Sequence, residues 1–454
     1  MRRILTIFLL GVGVICAAVS APTGGAATLQ TNQATQKFAV TLKARLTGYE
    51  GPSRARSRRA LVMFSPDSRW LALSSKDRSV SILDARGGTL KATLTGDDGI
   101  GGFSFSPDGQ YAATRNFTDK AARLWDTREW KLQATLSGRK RNLETKAKTG
   151  QAAALEEGFG RVPFSPDGRF LLAEREDDLV EMWDVATREL IATLDHYTEG
   201  NAARTILDGG RHLLSLQAVY SGNGKIIATC NGDKQPKIWD GATGKLKTIL
   251  NSPERIYRVA LSRDGNTLAT MQLQGAIELW DTATGRMKQQ LEGKNALEYD
   301  FHGFEFSPDG QYISTFYAET TKLWEATGQL KYALPKLGKS YDATFTRDSK
   351  TLATASTDHQ KAFGVVWDVA TGAAKFALPP ASEPCRGIGF SPDMKLLITV
   401  NSKGVKLWNA ANGTLLADLQ EARSPIAFSR DGRFLATGAR GEEALLWELP
   451  SDGS

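Results

Sequence analysis

The chain of 454 residues has 41% hydrophobic and 24% charged residues, 44 glycines, 16 prolines and a formal net charge of +7. These proportions are typical of a soluble globular protein that forms one large domain or two to three average ones. The three cysteines exclude a disulfide scaffold and a cysteine-based zinc module, and the four histidines argue against a histidine-rich metal site.

The N-terminus has the pattern of an export signal. Arg2 and Arg3 precede an apolar run of about 16 residues, which is shorter than the roughly 20 that a membrane-spanning helix needs. We predict a signal peptide over residues 1–21, with an uncleaved N-terminal anchor as the alternative. Either way, the bulk of the chain is expected in the periplasm or the extracellular space. Residues 22–37 are rich in Thr, Gln, Gly and Ala and are expected to form a flexible spacer.

The remainder of the chain repeats one unit nine times. Its first half-motif resembles FSPDG and begins at Phe64, Phe105, Phe164, Tyr220, Leu261, Phe306, Phe345, Phe390 and Phe428. Its second half-motif resembles LWD, with Leu83 in the middle position of the first unit and tryptophan in the others: Trp125, Trp183, Trp239, Trp280, Trp324, Trp367, Trp408 and Trp447. The spacings of 42, 58, 56, 41, 44, 43, 41 and 39 residues are mostly those of one four-stranded propeller blade.

Each unit predicts four short strands. An apolar run ends at the Phe, Pro and Asp-Gly supply a turn, and a second alternating run follows. A third run ends at the Trp, an ATG-type turn comes next, and a fourth strand reads KATL or a variant of it. The cysteines Cys230 and Cys385 fall in the fourth and eighth units, so we expect two unpaired, buried thiols.

The two half-motifs resemble those of the WD-repeat (WD40) β-propeller family over residues 38–450, with 451–454 as a tail. The resemblance implies an all-β fold and a role in protein interaction. The Gly-His pair that usually opens each repeat is missing, because the matching places read LTG, LSG, LDH or LPK. The Asp–His–Ser/Thr–Trp hydrogen-bond network of the family is therefore expected to be absent from most blades.

Counting the strands predicts how the ring closes. The ninth unit ends six residues before the C-terminus and lacks a fourth strand, whereas residues 40–46 resemble a spare one. We predict a single closed propeller of nine blades, latched by this N-terminal strand so that no sheet edge stays open. Eight blades are the alternative, with residues 195–218 forming extra strand pairs.

Three links between blades are long, at residues 47–63, 137–163 and 195–219, and strand parity places them on one face. Residues 47–60 have four arginines against one glutamate, and residues 137–161 have six basic against three acidic residues, so each segment has a net charge of +3. Such charge attracts anionic partners. The candidate partner-binding residues are Arg54, Arg56, Arg58, Arg59, Arg139, Lys140, Arg141, Lys146 and Lys148. The alternative is that both segments are polar only for solubility.

Catalytic patterns are missing from the sequence. We find no GxSxG elbow, HExxH motif, phosphate-binding loop or EF-hand pattern, and we expect no cofactor or metal. The recurrent aspartates are interpreted as turn residues: Asp67, Asp108, Asp167, Asp264, Asp309, Asp393 and Asp431. Trp70 and Trp130 break the repeat pattern and are candidates for exposed aromatic residues, although Trp70 alternates with apolar residues and could cap a blade.

The sequence therefore predicts an exported, non-catalytic scaffold for protein–protein interaction. We expect a monomer whose partners are proteins of acidic character or an anionic envelope surface, and no nucleic acid. The alternative function is a propeller enzyme or a receptor for a small ligand or an anionic envelope component, which would use the central channel or the basic loop face.

Overall fold

The structure is a computed structural model of the chain. It describes residues 38–48, 61–75, 77–97, 99–116, 121–137, 162–175, 179–196, 217–272, 275–291, 301–317, 320–335, 338–358, 361–381, 383–439, 441 and 443–450. The predicted signal peptide, spacer and C-terminal tail lie outside these residues. Among the described residues, no helix is long and apolar enough to cross a membrane.

The latch strand and the first four blades contain strands β1 to β16. The latch strand is β1 (Thr41–Thr47). Blade 1 contains β2 (Val62–Phe64), β3 (Trp70–Ser74), β4 (Val80–Asp84) and β5 (Leu90–Leu94). Blade 2 contains β6 (Ile100–Phe105), β7 (Tyr111–Asn116), β8 (Ala122–Asp126) and β9 (Leu132–Leu136). Blade 3 contains β10 (Phe170–Glu174), β11 (Leu179–Asp184) and β12 (Leu190–Asp195). Blade 4 contains β13 (Gln217–Tyr220), β14 (Ile226–Cys230), β15 (Lys237–Asp240) and β16 (Leu246–Ile249).

The remaining blades contain strands β17 to β35. Blade 5 contains β17 (Ile256–Leu261), β18 (Thr267–Gln272), β19 (Ile277–Asp281) and β20 (Met287–Gln290). Blade 6 contains β21 (Phe301–Phe306), β22 (Tyr312–Tyr317), β23 (Thr321–Glu325) and β24 (Leu330–Ala333). Blade 7 contains β25 (Lys339–Phe345), β26 (Thr351–Asp358), β27 (Lys361–Asp368) and β28 (Ala374–Ala377). Blade 8 contains β29 (Gly387–Phe390), β30 (Leu396–Val400), β31 (Val405–Asn409) and β32 (Leu415–Leu419). Blade 9 contains β33 (Arg423–Phe428), β34 (Phe434–Gly438) and β35 (Glu443–Glu448).

These described strands form nine antiparallel sheets, each with its strands in chain order except in blade 9. The inner strand of blade 3 is reduced to one bridge, between Phe164 and Leu171. In blade 9, β1 pairs with β35 from Thr41 opposite Glu448 to Thr47 opposite Glu443. The predictions of nine blades and of an N-terminal latch strand are confirmed, and the alternative of eight blades is wrong.

The hydrophobic core of the molecule lies between neighbouring blades. Nine clusters of buried residues are found among the described residues, one at each blade–blade interface. The cluster that joins blades 9 and 1 contains Leu46 of the latch strand, Phe434, and Phe64 and Leu83 of blade 1. The ring is thus closed by the same kind of packing that joins every other pair of blades.

The two cysteines of the propeller occupy different cores. Cys230 lies in the core between blades 4 and 5, and Cys385 lies in the core between blades 7 and 8. Both thiols are free and buried, as predicted. Burial raises the pKa of the Cys385 thiol to about 11, so the reactive thiolate form is scarce at neutral pH.

Candidate functional site

The propeller has two faces that differ in regularity. We call turn face the side with the turns between first and second strands and between third and fourth strands, such as residues 65–69 and 85–89 in blade 1. We call link face the opposite side, which has the turns between second and third strands and the links between blades, such as residues 75–79 and 95–99.

One hydrogen-bond motif recurs in every blade on the turn face. In blade 1 the Ser65 hydroxyl donates to Asp67 Oδ1 at 2.5 Å and accepts the Trp70 amide at 2.9 Å. The equivalent hydroxyl donates to an Asp or Asn two residues later in each other blade, at Ser106, Ser165, Ser221, Ser262, Ser307, Thr346, Ser391 and Ser429. The recurrent aspartates therefore stabilise turns, as predicted from their spacing.

A second set of acidic residues stabilises the turns between third and fourth strands. Asp240 Oδ1 accepts the amides of Ala242 at 3.2 Å and Thr243 at 2.9 Å, and also the Thr243 hydroxyl at 2.8 Å. The hydrogen bond with the Thr243 side chain is the main cause that lowers the pKa of Asp240. Backbone hydrogen bonds, from Thr284 and Thr371, lower the pKa of Asp281 and Asp368 in the same way. These carboxylates thus accept hydrogen bonds from residues of their own turns.

Inside the blades, the repeated tryptophans bind threonines. Seven tryptophan side chains donate from Nε1 to a threonine hydroxyl on the adjacent second strand, at 2.8–3.1 Å, for example Trp324 to Thr315 at 3.0 Å. In blade 4 this pair is extended, because His196 Nδ1 lies 2.8 Å from Thr229 Oγ1 and His196 Nε2 lies 3.5 Å from Asp233 Oδ2. Blade 4 thus brings together the Asp, His, Thr and Trp of the network that was expected to be missing from most blades, with a His–Asp contact that is longer than an ordinary N–H···O hydrogen bond.

Two other blades place a carboxylate beside the repeated tryptophan. The buried Glu278 accepts Ser252 Oγ at 2.9 Å and Gln272 Nε2 at 2.7 Å, next to the Trp280–Thr270 pair. Burial raises the pKa of Glu278. In blade 3, Trp183 Nε1 donates directly to Glu181 at 3.2 Å. Both acids were missed from the sequence, although an acidic residue two positions before the tryptophan marks them.

The two tryptophans outside the repeat pattern are buried. Trp70 and Trp130 are 3% and 7% exposed, and their rings meet edge to face at 5.8 Å in the core between blades 1 and 2. Neither tryptophan offers an exposed aromatic surface. Trp70 therefore packs within the blades, in line with the alternative that it caps a blade.

All three long links begin and end on the link face, because each leaves an outer strand and enters the next inner one. Their ends are held by buried residues: Leu46 and Leu61, Leu136 and Val162, and His196 and Ala218. The segments between, residues 49–60, 138–161 and 197–216, lie outside the described residues, and so do all nine candidate binding residues. The structure therefore describes the roots of these links, which lead into blades 1, 3 and 4.

The link face also contains a cavity of about 800 Å³ between blades 8 and 9, beside the latch strand. Its lining combines both signs of charge with small residues: Arg45, Ala381, Glu383, Asn401, Lys403, Gly404, Lys406, Asp418, Gln420, Glu421, Ala439 and Glu443. Arg45 pairs with Glu421 at 2.5 Å and Glu443 at 3.3 Å, and Lys403 pairs with Glu383 at 3.0 Å. Lys406 and Asp418 are 3.8 Å apart, which is longer than a hydrogen bond.

Neither face offers an arrangement for metal chemistry in the part of the chain that the structure describes. No group of three or more His, Cys, Asp or Glu residues is placed to hold a metal ion there.

The sheets, their closure and the tryptophan–threonine pairs define a nine-bladed β-propeller. Residues 88–126 match the model of the WD domain, G-beta repeat. The chain is therefore similar to WD40-repeat proteins in this segment, and its nine blades have the β-propeller architecture.

Known proteins resemble it over parts of its length. It is 30% identical over 152 residues to Periodic tryptophan protein 2 of Arabidopsis thaliana, a match that covers 32% of this chain and 16% of that protein. Among solved structures, it resembles the computationally designed Ika8 protein with a TM-score of 0.51 and 17% identity, over 78% of this chain and 97% of that one. It also resembles a eukaryotic initiation factor with a TM-score of 0.58 and 14% identity, over 84% and 91% of the two chains. These two structural matches show the fold alone.

Proposed function

We propose that this propeller is an exported, non-catalytic scaffold that binds protein partners through its link face. The observation that carries the proposal is that all three long links are rooted on this one face, and that two of them are strongly basic. Links of this length in compact domains more often serve a function than arise by accident.

The charge of the chain favours an acidic partner. The two basic segments together hold +6, whereas residues 22–454 as a whole sum to +5. Positive charge is thus concentrated in residues 47–60 and 137–161, and the rest of residues 22–454 is nearly neutral. Such a distribution accelerates the encounter with an acidic surface and selects its orientation, while adding less to the final affinity.

The cavity between blades 8 and 9 offers a second contact on the same face. Its wall includes Arg45, which lies in the latch strand two residues before the end of that strand and therefore close to the start of the first basic link. Lys406 and Asp418 are only 31% and 38% exposed and lie too far apart to satisfy each other fully. A partner segment with side chains of both charges would form ion pairs with Lys406 and Asp418.

The test is affinity isolation with three forms of the chain from residue 22 onward. The first is the natural sequence, and the second changes Arg54, Arg56, Arg58 and Arg59 to glutamine. The third is a matched control that changes four exposed turn-face lysines to glutamine: Lys225, Lys245, Lys350 and Lys395. We expect an acidic protein that is retained by the natural form and the control, lost from the arginine variant, and weakened by moderate salt.

Equal recovery of every partner by all three forms would contradict the proposal. Co-sedimentation of the same three forms with anionic and neutral vesicles distinguishes an envelope surface from a protein partner. Binding to anionic vesicles with no protein retained would assign the basic links to a lipid surface instead.

A further inference from the structure

One position on the inner strands, which line the central channel, differs in charge between the blades. The inner strand of each blade lines this channel. In the eight inner strands described, the residues before the last position are Met63, Ser104, Val219, Ala260, Glu305, Thr344, Gly389 and Ala427. Glu305 is the single charge among them, and the neighbouring inner strands add Arg258 in β17 and Asp342 in β25.

The packing of its neighbours shows where Glu305 lies. Phe304 and Phe306 belong to the core between blades 5 and 6. Because side chains alternate along a strand, Glu305 lies on the opposite side of β21, toward blade 7. The core between blades 6 and 7 contains Ala343 and Phe345 of β25, so Glu305 lies at the inner margin of that interface. Its side chain is half-buried.

The groups around Glu305 leave its charge uncompensated. In the part of the chain that the structure describes, its carboxylate has neither a hydrogen bond nor an ion pair. From β22 the residue opposite is Ser314, which is uncharged. Asp342 in β25 presents a like charge, and its two oxygens accept the amides of Ala343 and Ile388, each at 3.0 Å. Arg258 contributes the opposite charge from β17, but its guanidinium lies over the Phe304 ring, 5.3 Å from the centroid.

We propose that Glu305 is a proton-binding switch in the channel wall, and that its ionisation loosens the packing of blades 6 and 7. The neutral carboxyl fits the inner margin of the interface. The charged form places an unpaired anion there, next to Asp342, which itself ties blade 7 to the backbone of blade 8. The switch would thus act on three consecutive blades of the ring.

The direction of the pH effect follows from the same surroundings. Burial, and then the charge of Asp342, raise the pKa of Glu305 from 4.5 to about 7, although Arg258 opposes the shift. The folded state then holds this proton more tightly than the unfolded state does. Its contribution therefore disfavours folding as the pH rises from the unfolded pKa of 4.5 toward 7, and it stays constant above 7.

The first experiment measures the melting temperature from about pH 5 to about pH 9 for the natural chain, Glu305→Gln and Glu325→Gln. Glu325 is an acid of the same blade on the turn face, so its variant controls for the loss of one charge. We expect Glu305→Gln to melt higher than the natural chain at pH 8, to match it near pH 5, and to lack the step between. The Glu325 variant should keep that step.

The neighbouring charges provide a second arm that does not require the Glu305 variant to fold. Arg258→Gln removes the cation and should move the midpoint of the step to higher pH. Asp342→Asn removes the like charge and should move it to lower pH. A midpoint that stays the same in both variants would overturn the proposal. An unchanged step in Glu305→Gln would also overturn it, and so would the absence of any step near neutral pH in the natural chain.

Discussion

The turn face and the link face are built from the same nine repeats, yet they follow different rules. On the turn face every blade repeats one motif, in which a Ser or Thr hydroxyl donates to an Asp, or to Asn223 in blade 4, and the same acceptor oxygen also accepts a backbone amide, as in blades 1 and 4. On the link face the described connections are as short as the three residues 420–422, whereas three links are long; two of the long links are basic in sequence, and a charged cavity lies on this face. The comparison teaches that the repeated features maintain the ring, whereas the irregular ones distinguish this propeller from a generic one.

The largest expected effect comes from removing the latch strand, which closes the ring. A chain that begins at Gly48 lacks β1, leaves β35 as an open edge and removes Leu46 from the core between blades 9 and 1. We expect a loss of stability greater than the about 5 kcal/mol that the most damaging core substitutions reach. Urea unfolding measures it, with a chain that begins at Phe38 as the control. Equal midpoints for the two chains would contradict the role of β1 in closing the ring.

The next effect concerns blade 4, where the structure describes His196 between Thr229 and Asp233. His196→Ala leaves the buried Thr229 and Asp233 without this partner, so we expect a loss of about 1–3 kcal/mol. Thr315→Val in blade 6 removes only the acceptor of Trp324 and should cost about 0.5–1.5 kcal/mol. The unfolding midpoints of the two variants test the difference. A smaller loss for His196→Ala than for Thr315→Val would mean that the network in blade 4 adds no stability.

The smallest expected change in stability distinguishes two turns of the turn face. Met394 and Ser68 both adopt positive φ, of 61° and 60°, where most blades have glycine. Met394→Gly relieves this strain and should stabilise the protein by about 1 kcal/mol. Ser68→Gly should bring no such gain, because the Ser68 hydroxyl accepts the Asp431 amide at 3.1 Å across the closure of the ring. Comparing the two melting temperatures tests this assignment, and equal gains would remove any role for the Ser68 contact.

Much of the fold could be predicted from the sequence, because each blade marks its first strand with Phe and its third with Trp. The latch could be predicted as well, since residues 40–46 resemble the fourth strand at Leu90 and the ninth unit lacks one. Other features depend on residues that only the fold brings together. Arg258, Glu305 and Asp342 are separated by about 40 residues each and meet because their strands are equivalent in consecutive blades. The cavity combines the latch strand with blades 8 and 9 for the same reason.

The site was predicted less completely than the fold. Loop length and charge identified the basic links, but charge alone does not indicate what an arginine contacts. The carboxylates Glu181 and Glu278 were missed because the sequence was searched for histidine as the partner of the Thr–Trp pair. His196 could not be singled out among the four histidines, since nothing in the sequence around it shows that Thr229 and Asp233 of the next blade lie beside it.

The most direct test of the contrast between the faces is photo-crosslinking of a bound partner. A crosslinking amino acid is placed at Lys403 or Glu421 on the link face and at Lys225 or Lys350 on the turn face, one position at a time, all of them exposed. The account predicts that the partner crosslinks from the two link-face positions and not from the two turn-face positions. Crosslinks from Lys225 or Lys350 alone would contradict it, because the partner would then bind the regular face of the ring.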